Sequence, residues 1–168
     1  LGDARDRALD LFPLKKHSDQ EMADGNGGSY SWVDSNKSGS SGNLFIHFSA
    51  GVVSQIDATT SRFHTSDGIT VKSTPAQVRA HYKGMRAFIL SDSSDHALGW
   101  LPVVYWIDYQ KGIVFAFAYY PSGGYRYVYA IVVFQPNSQI RDLNGALESS
   151  TRRELPPYSL PVTQPDSR

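Results

Sequence analysis

Five histidines, His17, His47, His64, His81 and His96, are the residues most able to act as bases or ligands. None stands at the HxH or HExxH spacing that brings two imidazoles onto one metal ion. The run SDSSDH, Ser91 to His96, contains every residue type of a hydrolase triad. A triad needs those groups to converge from separate elements, which six consecutive loop residues do not supply, and no GxSxG elbow accompanies the run. Asp34 and Asp108 form a general acid/base pair, with His47 as a third group, only if they meet across a sheet beside a cleft. That small-hydrolase reading is the minor one. GNGG, Gly25 to Gly28, precedes a strand instead of joining a strand to a helix, so it is not a phosphate loop. Asn36-Lys37-Ser38 fits a glycosylation acceptor, which matters only in a eukaryotic secretory route. No catalytic, cofactor-binding or metal-binding residues are expected.

Composition narrows the classes further. The 168 residues carry 16 Lys plus Arg against 16 Asp plus Glu, a balance that argues against nucleic acid as the main partner and offers no pull toward anionic lipid. With no cysteine there is no disulfide, no thiol nucleophile and no Cys-ligated metal. No apolar run approaches the ~20 residues of a membrane helix. Aromatic usage is the unusual feature: eight Phe, three Trp and ten Tyr, with twelve of these between Trp100 and Phe134. Tyrosine tolerates half-exposure because one end is apolar and the other wet.

The elements that position these residues read as a duplication. Asp3 to Pro13 reads as a capped helix with Ala4, Ala8, Leu11 and Phe12 on one stripe. Ser73 to Lys83 repeats it, with Ser73 or Thr74 as cap, Pro75 in the first turn, and Val78 and Tyr82 matching Ala8 and Phe12. Each leads to a strand carrying a shared triplet, Trp32-Val33-Asp34 and Trp106-Ile107-Asp108. Alternating strands follow, with Leu44, Ile46 and Phe48 matching Ile113, Phe115 and Phe117. Third strands, Val52–Ala58 and Tyr125–Gln135, close each unit. The expected fold is α+β: two tandem helix-plus-antiparallel-sheet units, residues 1–66 and 67–136, forming either one continuous sheet or two abutting ones, then a Pro-rich tail, 137–168. Both helices pack on one face of the sheet.

Alternation along the strands then assigns the faces. With Val33 and Ile107 placed inward, Trp32, Asp34, Trp106 and Asp108 point outward. Val128, Ala130 and Val132 form the buried side of the last strand. Trp32, Phe45, His47, Trp106, Tyr127 and Tyr129 are therefore expected to share one open aromatic face that binds another protein. The tip Lys37 to Asn43, KSGSSGN, reads as a hairpin loop.

These features, a capped helix, a W-(V/I)-D strand and an alternating strand ending in a turn, resemble the β-lactamase-inhibitor-protein-like fold. That fold is similar to the small lipoprotein of the outer-membrane barrel-assembly machinery. The resemblance covers about Leu1 to Pro136. Its motif glycine is present as Gly2 but replaced by Lys72, and the disulfides of the inhibitor proteins are absent here. It implies a binding module, periplasmic or extracellular, with an unknown protein partner and no catalytic role expected; the start at Leu1, one residue before the motif glycine, leads us to expect a signal peptide removed before it. A structural accessory of envelope assembly is the alternative. The tail, with Pro156, Pro157, Pro161 and Pro165, is expected to dock through Leu155, Tyr158, Leu160 and Val162.

Overall fold

The computed structural model describes residues 1–4, 7, 8, 10, 20–22, 29–35, 41–90, 103–120, 124–140 and 152–160. Its strands are β1 (Gln20–Met22), β2 (Ser29–Ser35), β3 (Ser41–Ser49), β4 (Val52–Ala58), β5 (Arg86–Leu90), β6 (Val103–Asp108), β7 (Ile113–Tyr120), β8 (Gly124–Phe134) and β9 (Arg152–Leu155). One helix, α1 (Pro75–His81), lies between β4 and β5. All nine strands join one sheet in the order β1-β2-β3-β4-β8-β7-β6-β5-β9, and every pairing is antiparallel.

This overturns the expected tandem of helix-plus-sheet units: the described chain is one continuous antiparallel sheet with a single short helix. Local chemistry explains why α1 forms where it does. In α1, Thr74 and Gln77 close a capping box, with the Gln77 N–H donating to Thr74 Oγ1 at 3.3 Å and the Thr74 N–H to Gln77 Oε1 at 2.7 Å. Pro75 fits the first turn, where no N–H is needed. The N-terminal segment spends its first residues otherwise. Gly2 N–H donates to Val53 O, Asp3 O accepts from Val53 N–H, and Ala4 bridges Val52. Asp3, expected as a cap, is thus held extended against β4. Helical backbone begins only beyond it, with the Ala8 N–H on Ala4 O at 3.0 Å. Leu11 and Phe12 lie outside the described residues.

The core has two layers, one on each face of the sheet. On the near face, α1 lays Val78 and, just beyond, Tyr82 against Val104, Trp106, Phe115 and Phe117. A smaller near-face cluster joins Ala8 to Leu44, Ile46, Phe48, Val53 and Ala58. On the far face, Phe88, Tyr105, Ile107, Val114, Ala116, Ala130, Val132, Phe134 and Ile140 are all buried together. The expected open aromatic face is therefore a second core.

Two particulars inverted the face assignment. Residues directly opposite in an antiparallel ladder share a face, and Trp106 stands opposite Phe115. Trp106 thus belongs with α1 and Ile107 with the far side. A bulge in the β7–β8 ladder then pairs Phe117 with Val128 but Ala116 with Ala130. The extra residue puts Val128 in the near core and Ala130 and Val132 in the far one.

Candidate functional site

The six residues expected to form one patch are dispersed. Trp106 is 0 % exposed, packed against Phe117 at 4.5 Å between ring centroids with the rings tilted by 54°. The ladder sets Trp32 opposite Leu44, one residue out of phase with Phe45 and His47. Phe45 and His47 are half-buried, and Tyr129 is half-buried against the far core. Tyr127 is well exposed, at 45 %.

The hydrolase constellation is not assembled either. His47 on β3 and Asp108 on β6 are separated by β4, β8 and β7. Four ladder spacings of about 4.8 Å put them roughly 19 Å apart. Asp108 instead shapes the β6–β7 turn, where its Oδ1 accepts the N–H groups of Gln110 at 3.1 Å and Lys111 at 2.9 Å. Asp34 pairs with Gly42 in the β2–β3 ladder. The runs Ser91 to His96 and Gly25 to Gly28, and Asn36-Lys37-Ser38, lie outside the described residues. Among the described residues no group of three His, Asp or Glu side chains could hold a metal ion.

What His47 does hold is a buried carboxylate. Its Nε2 lies 2.9 Å from Asp57 Oδ2, while Gln55 Nε2 donates to Asp57 Oδ1 at 2.7 Å. The strands impose this arrangement, because Gln55 is opposite His47 and two residues from Asp57 on the same face. Asp57 is 0 % exposed, and burial pushes its carboxyl above the ordinary 3.8, with the hydrogen bond and charge of His47 pulling partly back. The cluster orients an imidazole and fixes the register of β3 and β4 beside the bulge at His47/Phe48.

Two further features escaped the sequence reading. The first is an apolar recess of about 150 Å³ on the near face, lined by Leu44, Ile56, Ala58, Phe63, Ile131 and Val133, with His64 and Thr65 also on its wall. It opens where β4 meets β8, a seam between distant segments that no local pattern marks. The second is the Tyr119–Tyr125 end of the β7–β8 ladder. Tyr119 and Tyr125 pair across the ladder with ring centroids 5.4 Å apart at 64°. Tyr120 is 38 % exposed and Tyr127 is 45 % exposed beside exposed Arg126. The hydroxyl of Tyr125 is buried with no hydrogen-bond partner among the described residues, and burial with the neighbouring Tyr119 pushes its pKa up to about 12. The local excess of tyrosine in the sequence was the available signal.

Comparison of the chain with family models, curated proteins and solved structures finds no match. Among the described residues no helix is long and apolar enough to cross a membrane.

Proposed function

We propose that the chain is a non-catalytic protein-binding module that engages its partner through the tyrosine-rich end of the β7–β8 hairpin. The observation that carries this reading is the exposure of Tyr120 and Tyr127 on a two-stranded ladder whose roots, Phe117 and Val128, are fully packed. Such rings present large contact area with few rotamers to lose, and Tyr and Arg are enriched among interface hot spots. A periplasmic or extracellular setting belongs to the same proposal and comes from the resemblance to the inhibitor-protein fold. A photo-crosslinking residue at position 127 tests it in the source cells. Covalent capture of one protein from position 127, lost with Tyr120→Ser and absent from a probe at exposed Ser66, supports the reading. Equal capture from both positions removes it.

A second reading, uptake of a small apolar molecule, is favoured by the recess beneath Phe63. An apolar cavity of that size holds a molecule such as benzene. Benzene raising the melting temperature of the native chain but not of Ala58→Leu, which fills the recess, supports this alternative.

A further inference from the structure

The last strand is an addition to a sheet edge. β9 pairs antiparallel with β5, Leu155 opposite Ala87 and Glu154 opposite Phe88, and Arg86 grips Glu154 through Nε at 2.8 Å and a second guanidinium nitrogen at 2.7 Å. Beyond Pro156 and Pro157 the chain turns, Ser159 N–H donating to Pro156 O at 3.0 Å, with Tyr158 held at a positive φ of 59°. Tyr158 then enters a socket between α1 and β6. Its hydroxyl donates to Tyr82 O at 3.0 Å and accepts from the Met85 N–H at 3.3 Å. Its ring meets Trp106 edge-on at 5.3 Å and 89°. Trp106 Nε1 donates to Ser159 O at 3.3 Å, and the Arg79 guanidinium lies over both aromatic rings while donating to Tyr158 O.

These contacts have the parts of a peptide-recognition site. Backbone pairing along a sheet edge supplies affinity, and a side-chain socket with a charged clamp supplies specificity. The receptor half is Arg79, Tyr82, Met85, Arg86 and Trp106, all from α1, β5, β6 and the turn before β5. The ligand half is nine consecutive residues, 152–160, reached only after the far-face cluster has ended at Ile140. The prolines restrict the unbound segment, which reduces the ordering cost of docking.

We propose that the α1–β5–β6 corner is a receptor for an extended peptide of the pattern Glu-Leu-Pro-Pro-Tyr, occupied in the resting molecule by the chain's own residues 152–160. A partner segment of that chemistry displaces the strap and pairs with β5 in its place. The intramolecular occupant lowers the apparent affinity for any competitor by the fraction of molecules in which the socket is open. This site uses residues other than the tyrosine hairpin and stands or falls separately from it.

The probe is a fluorescein-labelled synthetic peptide of residues 152–160, titrated by anisotropy into the full chain. Tyr158→Ala removes the hydroxyl from the socket, so that variant is expected to take up the peptide roughly tenfold more tightly than the native chain. Adding Arg86→Glu to that variant abolishes the gain, and a peptide carrying Glu154→Arg restores it. In the unmodified chain, the amides of β9 and Met85 should exchange hydrogen at least about tenfold faster than those of β7, because the strap opens without the sheet. Equal peptide affinity in the two chains, or no restoration by the charge swap, overturns the proposal. So does β9 exchange at the rate of β7, or an unfolded Tyr158→Ala, since either makes the strap an inseparable part of the fold.

Discussion

On the far face of the sheet, β7 and β8 carry Val114, Ala116, Ala130, Val132 and Phe134, all buried and apolar, whereas neighbouring β4 carries Gln55 and Asp57, buried as deeply and polar. Phe134 stands opposite Gln55 and Val132 opposite Asp57, so the chemistry changes within one ladder spacing. The apolar side needs only removal from water. The polar side is tolerable because both carboxylate oxygens of Asp57 are met, one by His47 and one by Gln55. Shifting β4 by one residue would strand that carboxylate on the wrong face. The β4 side therefore contributes register where β7 and β8 contribute burial.

The largest expected effect tests the apolar side. Trp106→Ala deletes a fully buried ring that touches Phe117 and Tyr158 and leaves the Ser159 carbonyl without its donor. The expected loss is about 3–5 kcal/mol in urea unfolding, the usual cost of a Trp or Phe truncated in a core. A loss below about 1 kcal/mol would return Trp106 to the surface and reopen the question of which face is open.

The next effect tests the polar side. His47→Leu strips the imidazole from Asp57 Oδ2 while Gln55 stays on Oδ1, and should cost about 3 kcal/mol near neutral pH, as removal of one partner from a buried pair does. Its pH dependence has a definite sign. Burial raises the folded pKa of Asp57 above its unfolded value of 3.8. The stabilisation that Asp57 contributes is complete below the unfolded value and is lost as pH climbs through the folded one. Relative to Asp57→Asn, which does not titrate there, the native chain should lose stability across that window. A native chain that gains stability over Asp57→Asn as pH rises contradicts the assignment.

These two tests mark where the sequence was legible. The inward set Ile113, Phe115 and Phe117, the cap at Thr74 with Pro75, and three of the four expected anchors, Leu155, Tyr158 and Leu160, could be read from type and spacing, while Val162 lies outside the described residues. The orientation of β6 could not. Val104 and Trp106 are apolar, and so are Tyr105 and Ile107, because all four are buried between two layers. Alternation carries no information about direction when both faces avoid water. The bulge at Val128 defeated a count of two in the same way, since an inserted residue leaves no mark in composition. The His47–Asp57 contact depended on the β3–β4 register, which hydrophobic spacing along either strand alone does not state.

A smaller effect, of opposite sign, is expected at the hairpin end. Tyr125→Phe removes a buried hydroxyl that has no hydrogen-bond partner among the described residues and keeps the ring against Tyr119. Relieving one unsatisfied polar group should raise stability by about 1 kcal/mol. A loss of similar size would show that this hydroxyl is hydrogen-bonded in solution.

The smallest effect belongs to Tyr127, and its smallness is the point of the comparison. Tyr127 shares β8 with Val132 and Phe134, but lies beyond the bulge, where its ring turns to water while neighbouring Val128 stays in the near core. Its loss removes little packing, so Tyr127→Ala should leave stability within about 0.5 kcal/mol of the native chain, the range of ordinary surface substitutions. Trp106→Ala thereby becomes a measure of burial and Tyr127→Ala a measure of contact with a partner. If position 127 is part of the binding surface, the truncation weakens capture of the crosslinked protein while the urea midpoint stays fixed. A shifted midpoint instead places Tyr127 among the packed residues of β8 and removes the exposed ring on which the hairpin reading stands.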